Sequence, residues 1–365
     1  MLAGKARGFT LIELVTAMAV SLILTTLVVE ALVGLAKDRS SREMVTDVQG
    51  NARLAMSMLE QDLRIASLGA GTGIIWVNSA GTRTAQTAVQ IYDDVAGGGF
   101  LVDPARGNMQ VQPKRHTGAL LVVQALGTPK TLSVGDQFNS TNGLVIADDV
   151  ANFPAGTYVL FGDYGDAAWD QVTQVNASTR TLTLASPIDL FPVRGVLPGA
   201  TAAGKLSSGS MVRAAQARLY YVDTSDELVR LTLAQPGPPA GASGVLGLEV
   251  IASGVENLQI GCKMDQMDPN GVLADCPGAT LDPAAAPALG SAGSRITSAN
   301  VSTLRMVSVG VVFRGRTPLR DQHGDQPVEL QSQKLLPAGY PADEEFVRRT
   351  YQIEVAVRNT SLGVL

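Results

Sequence analysis

Glu13 lies where a carboxylate is hardest to place. Across residues 9–35 the only charges are Glu13 and Glu30, and there is no proline. At the centre of a spanning helix an acidic side chain costs about 2.5–3.5 kcal/mol, so Glu13 either sits shallow at one membrane face or meets a compensating partner. In a low dielectric an ammonium is the cheapest such partner. Other chemically capable residues are sparse. His116 and His323 stand in polar, loop-like contexts without metal partners and read as solvated. Asp265, Asp268, Asn270 and Asp275, with Gly271, supply oxygen ligands for a conceivable calcium loop. Pro269 interrupts that run and its spacing departs from an EF-hand, so a polar turn is the reading. Arg314, Arg316, Arg320 and Lys334 form a thin basic stretch with acids interleaved and no aromatic to stack bases, as in a solvated loop.

Several catalytic classes find no footing. No nucleophile motif, His-rich metal signature or phosphate loop is present. The glycines at 69, 71 and 73 follow a helical pattern rather than a strand, so they read as a helix stop and not as a dinucleotide site. Neither an enzyme nor a cofactor is expected. Cys262 and Cys276 lie 14 residues apart in a turn-rich stretch. In an exported domain a disulfide is the natural reading and would stabilise by about 3 kcal/mol, the alternative being two thiols that never meet.

The element that must carry Glu13 is a helix. Residues 9–35 would rise about 40 Å, more than a bilayer core of about 30 Å. The run passes through Lys37, Arg39 and Arg42 without a small-residue cleavage site, so the span is expected to stay in the mature protein. Beyond it, Val45, Val48, Ala52, Ala55, Leu59 and Leu63 recur at three-and-four spacing, and Glu60 and Arg64 are placed for an i, i+4 pair. One helix over 9–68 is predicted, with its second half packed on a sheet.

The segment Gly8-Phe9-Thr10-Leu11-Ile12-Glu13-Leu14 behind Lys5 and Arg7 resembles the class III leader of type IV pilins and pseudopilins. The resemblance implies that a prepilin peptidase cuts between Gly8 and Phe9 and methylates the new amine of Phe9. It also implies that Glu13 neutralises a terminal amine of a neighbouring subunit and so registers it during assembly. Lys5 and Arg7 hold the leader in the cytoplasm, which puts the C-terminal bulk in the periplasm or outside the cell. Many major pilins carry a helix-breaking proline where this chain has Glu30 and Gly34.

The rest of the chain predicts strands. With 38 glycines, 18 prolines and 5% aromatic residues, it reads as β-structure with many turns. Net charge is −5, or −7 with 26 basic residues against 33 acidic once Lys5 and Arg7 are removed, so no nucleic-acid partner is expected. Strand-like runs fall at 74–77, 88–92, 119–124 and 158–161; 171–175 and 181–184 form a hairpin around Asn176-Ala177-Ser178-Thr179. Runs at 211–222, 228–233, 248–260, 304–313 and 346–357 are expected to build the principal sheet. Residues 128–210 read as an inserted β subdomain.

Three further phrases are similar to PilW-type minor pilins: Gln49-Gly50-Asn51-Ala52-Arg53 continuing through 59–64, the stretch 254–260, and Arg348-Arg349-Thr350-Tyr351 with 355–359. The expected fold is α+β, a long N-terminal helix packed on an antiparallel sheet. Its divisions are leader 1–8, membrane or filament-core helix 9–36, amphipathic helix 37–68 and β-rich domain 69–365. The family implies an inner-membrane protein that joins other minor pilins and the major pilin on an assembly platform, in contact with prepilin peptidase and lipid. A J-type pseudopilin of a type II secretion system, or an adhesion or DNA-uptake module displayed on a filament, are the alternatives.

Overall fold

The structure, a computed structural model, describes residues 10–66, 74–79, 82–92, 100–102, 109–111, 113–114, 117–133, 138–140, 142–162, 167–186, 210–232, 247–267, 273–275, 304–314, 329–330, 333–334 and 348–357. Its first element, α1 (Leu11–Arg64), is 54 residues long, about 81 Å at 1.5 Å per residue. It ends before the predicted glycine stop, whose residues lie outside the described set. Ile65 caps it by donating its N–H to the Gln61 carbonyl, and Arg64 donates to Glu60 at 2.5 Å as the spacing predicts. That pair is exposed and adds only a few tenths of a kcal/mol.

The strands in chain order are β1 (Ile74–Ser79), β2 (Thr82–Thr87), β3 (Val89–Tyr92), β4 (Phe100–Val102), β5 (Met109–Val111), β6 (Ala119–Thr131), β7 (Phe138–Ser140), β8 (Gly143–Val145), β9 (Tyr158–Gly162) and β10 (Ala167–Asn176). They continue as β11 (Thr181–Leu184), β12 (Met211–Val222), β13 (Glu227–Thr232), β14 (Gly247–Ser253), β15 (Val255–Met267), β16 (Leu273–Asp275), β17 (Leu304–Arg314), β18 (Glu329–Leu330), β19 (Gln333–Lys334) and β20 (Arg348–Ala356). A 12-stranded sheet runs β14-β13-β12-β9-β10-β11-β8-β7, with β6 beside β12, β3 beside β6, β1 lying parallel to β10, and β2 beside β1. A second sheet of four strands runs β16-β15-β17-β20, all antiparallel.

The single principal sheet expected from 211–222, 228–233, 248–260, 304–313 and 346–357 is therefore corrected to two. The chain changes sheets at Gly254, in the middle of what reads as one strand. Gly254 has φ +76, and a Cβ there would stand 2.6 Å from the Arg314 carbonyl oxygen. Its own carbonyl accepts the Arg314 N–H at 2.7 Å. Only glycine takes both the left-handed backbone and that approach. Hydropathy cannot reveal the break, because both flanks are apolar.

The apolar stripe of α1 fills the angle between the two sheets. Val48, Ala52, Ala55, Met56, Leu59, Leu63 and Ala66 share one core with Leu120, Val122 and Tyr220 of the large sheet and with Leu258, Ile260, Val309 and Val311 of the small one. The far face of the large sheet carries a second core around Leu121, Val123, Leu219, Val229 and Leu231. A third joins Leu132, Leu144, Ile146, Phe153, Phe161, Leu182 and Val212. The predicted hairpin forms between β10 and β11, where Asn176 Oδ1 accepts the N–H groups of Ser178 and Thr179 and Arg180 takes φ +52. The protein has an α+β architecture: an N-terminal apolar helix leading into a largely antiparallel β-sheet domain.

Candidate functional site

The start of α1 pairs two polar residues, Thr10 and Glu13. Thr10 is the N-cap, in extended conformation, and its Oγ1 accepts the Glu13 N–H at 3.4 Å. In return Glu13 Oε2 accepts the Thr10 backbone N–H and the Thr10 hydroxyl, each at 2.9 Å. This reciprocal box satisfies donors that a helix start leaves open, and it puts a carboxylate at the positive end of the helix dipole. Glu13 thus has a local partner within its own chain, which the expectation of a cation did not include. The signal was present: Thr followed three residues later by Glu, before an apolar run. Gly8 and Phe9 lie outside the described residues.

From Leu11 to Ala36 the helix is long and apolar enough to cross a membrane, and none of it is buried by the rest of the chain. Leu22 is 72% and Leu35 65% exposed. The threonine hydroxyls within the span turn back onto the helix: Thr16 donates to the Ile12 carbonyl at 2.9 Å, Thr25 to the Ser21 carbonyl at 2.7 Å and Thr26 to the Leu22 carbonyl at 2.9 Å. Polar groups so paired do not present an unsatisfied donor to lipid. Glu13, Ala17, Ser21 and Thr25 follow one another at intervals of four along a shallow groove on one face.

The family known as the prokaryotic N-terminal methylation motif matches residues 4–36. It supports a type IV pilin or pseudopilin. A leader of this class implies processing by prepilin peptidase and entry into pilus machinery, and with the apolar helix it is consistent with a membrane-anchored structural protein. No curated protein matches the chain.

A second polar cluster seats the helix, and it escaped the sequence reading. Asp62 is 2% exposed on the buried face of α1, where it accepts hydrogen bonds from the Arg218 guanidinium and the Tyr220 hydroxyl of β12. Burial, followed by the charge and hydrogen bond of Asp62, pushes the Tyr220 hydroxyl well above the ordinary tyrosine range, so it remains a donor. Only the helical phase of Asp62, between Leu59 and Leu63, hinted at burial.

In the turn between β12 and β13, beside the point where the chain changes sheets, Asp226 accepts from Lys114 at 2.5 Å and from Arg314 at 2.7 Å, while Lys114 also donates to the Glu256 carbonyl at 3.0 Å. Arg314 was expected in a solvated loop. It instead ends β17 and is tied to Asp226 across the junction. The acidic stretch is likewise corrected: Asp265 belongs to β15 and Asp275 to β16, two arms of a hairpin with Lys263 opposite Asp275. Among the described residues no group of three His, Cys, Asp or Glu is arranged to hold a metal ion. Cys262 is 3% exposed on β15. His116, His323, Asp268, Asn270, Gly271, Cys276, Arg316 and Arg320 lie outside the described residues, and Lys334 falls on the short β19.

Proposed function

We propose that the chain is a minor pilin of the PilW type, cut between Gly8 and Phe9, methylated at Phe9, and anchored in the inner membrane with its β-domain in the periplasm. In this role it joins other minor pilins to prime filament growth and stays at or near the tip. One observation carries the reading: the methylation motif over 4–36 runs directly into a helix that is apolar on every side and uncovered by its own domain. A helix of that kind needs lipid before assembly and neighbouring helices afterwards. Thr10 holds the Glu13 carboxylate while the subunit waits in the membrane, and the amine of a neighbour then takes it over.

Substitution separates the two steps. Gly8→Ala should accumulate unprocessed precursor in the membrane, whereas Glu13→Ala should be cut and inserted yet fail to enter filaments. Wild-type incorporation of the Glu13 variant would refute the registration role. The same leader serves a J-type secretion pseudopilin; a deletion strain with normal pili and failed protein secretion would favour that system.

The segment 128–210 is the proposed recognition subdomain, supported by the separate core around Phe153, Phe161 and Leu182. Its deletion should abolish adhesion or DNA uptake if it recognises a surface, and leave both intact if it only braces the sheet. A Cys262–Cys276 bridge is also proposed, supported by the 14-residue spacing of the two cysteines, the burial of Cys262 on β15 and the export that the leader implies. Peptide mapping without reductant tests it.

A further inference from the structure

We propose that the outer edge of β14 is a docking strand for an extended segment of a neighbouring filament subunit. This rests on the pilin reading and adds to it a second contact, outside the membrane helix. β14 ends the large sheet and is paired only with β13. Among the described residues, the outward N–H and C=O groups of 247–252 have no partner. Leu248 and Val250, 56% and 47% exposed, stand opposite Leu231 and Val229 and carry the second core out to the rim.

The same sheet shows how an edge is closed. The outer side of β6 carries Gly127 at φ +65, followed by Pro129 and Lys130. A bulge, a missing donor and a charge are the usual protections against strand addition. β14 has a bulge only near its end, where the register with β13 skips Ile251, and one charge, Glu249; Gly247-Leu248-Glu249-Val250-Ile251-Ala252-Ser253 contains neither proline nor lysine, and 247–250 keep a regular register. The regular stretch 247–250 ahead of that bulge is matched by another strand, which alone satisfies alternating donors and acceptors along its length.

Glu249 specifies the occupant further. It is half exposed on the opposite face of the strand from Leu248 and Val250 and accepts from Arg230 at 2.5 Å. Its open side calls for a cation, and β14 has no basic residue, so pairing with its own copy would leave that side unmet. The docked strand therefore carries apolar residues at alternate positions and a basic one facing Glu249. A filament neighbour is the source because β14 is built against the helix that neighbours must flank: Ile251 and Ala252 share a core with Leu59 and Leu63 of α1.

Amide exchange on the full-length protein tests this, in purified filaments and in detergent micelles. The amides of 247–253 should exchange about tenfold or more slowly in filaments. The pair Leu248→Lys with Val250→Lys, both at exposed positions, should remove that slowing and lower incorporation about tenfold. Processing, membrane insertion and the thermal midpoint should stay at wild-type values. Equal exchange in both settings, or normal incorporation of the lysine pair, overturns the proposal. Slowing that depends on protein concentration in micelles alone would assign the edge to a second copy and overturn it too. If the lysine pair incorporates while Glu13→Ala does not, the pilin reading stands and the docking edge falls. If the wild-type chain never enters sheared filaments, both fall together.

Discussion

The first and second halves of α1 are continuous in backbone and opposite in what stabilises them. Residues 11–36 are apolar around the whole circumference and make no contact that buries them, while Val48, Ala52, Ala55, Leu59 and Leu63 form one stripe that is almost completely buried. Gly34 and Gly50 lie inside the helix, and neither interrupts it. The difference teaches that propensity does not decide the fate of either half. A stripe can be satisfied by one sheet, whereas a helix apolar on all sides needs a surrounding apolar medium. The second half belongs to the fold and the first half to the assembly.

The sharpest way to break that comparison is to remove a seat residue. Asp62→Ala leaves Arg218 and Tyr220 without their acceptor beneath the helix and should cost about 3–5 kcal/mol, read by urea unfolding in detergent. Leu59→Ala should cost about 2–5 kcal/mol by the same measurement, since the side chain is fully buried. If either variant unfolds like wild type, the second half is not held by the domain.

Asp170 sharpens the contrast from outside the helix. Burial, opposed by hydrogen bonds from Gln171 and Ser186, pushes its carboxyl up to about 6. The folded state thus prefers the protonated form. The associated stability is fully present below the unfolded value of 3.8 and is lost as pH rises through about 6, a swing of about 3 kcal/mol. Thermal midpoints should show wild type losing ground to Asp170→Asn between pH 4 and 7. Amide exchange in the seat of α1 should not follow that titration.

Gly254→Ala, which presses a Cβ on the Arg314 carbonyl in a left-handed conformation, should cost about 1–3 kcal/mol and loosen the angle in which the helix sits. The smallest effect belongs to the exposed half. Leu24→Ala should shift domain stability by less than about 0.5 kcal/mol and register only as reduced filament incorporation.

Much of this was legible residue by residue. The span, the amphipathic stripe, the Glu60–Arg64 pair and the turn at Asn176 follow from local spacing, and the structure places each as that spacing requires. Missed features join residues far apart in the chain: Asp62 with Arg218 and Tyr220, or Asp226 with Lys114 and Arg314. Their partners are dozens to more than a hundred positions away, and no periodicity links them. The Thr10–Glu13 box is local, a Thr and a Glu three residues apart before an apolar run, and is legible from spacing alone.

Composition and spacing alone determined that this chain begins with a basic leader and an apolar helix carrying one carboxylate near its start, followed by β-structure. Those properties depend on contacts within a few residues, where sequence distance and spatial distance agree. Tertiary structure alone decided that the late strands divide at Gly254 into two sheets, that α1 fills the angle between them on Asp62, and that β14 is left as an open edge. These are questions of which distant backbones approach one another. Packing of the whole domain decides them, because many pairings satisfy the same local pattern and only one fills the core.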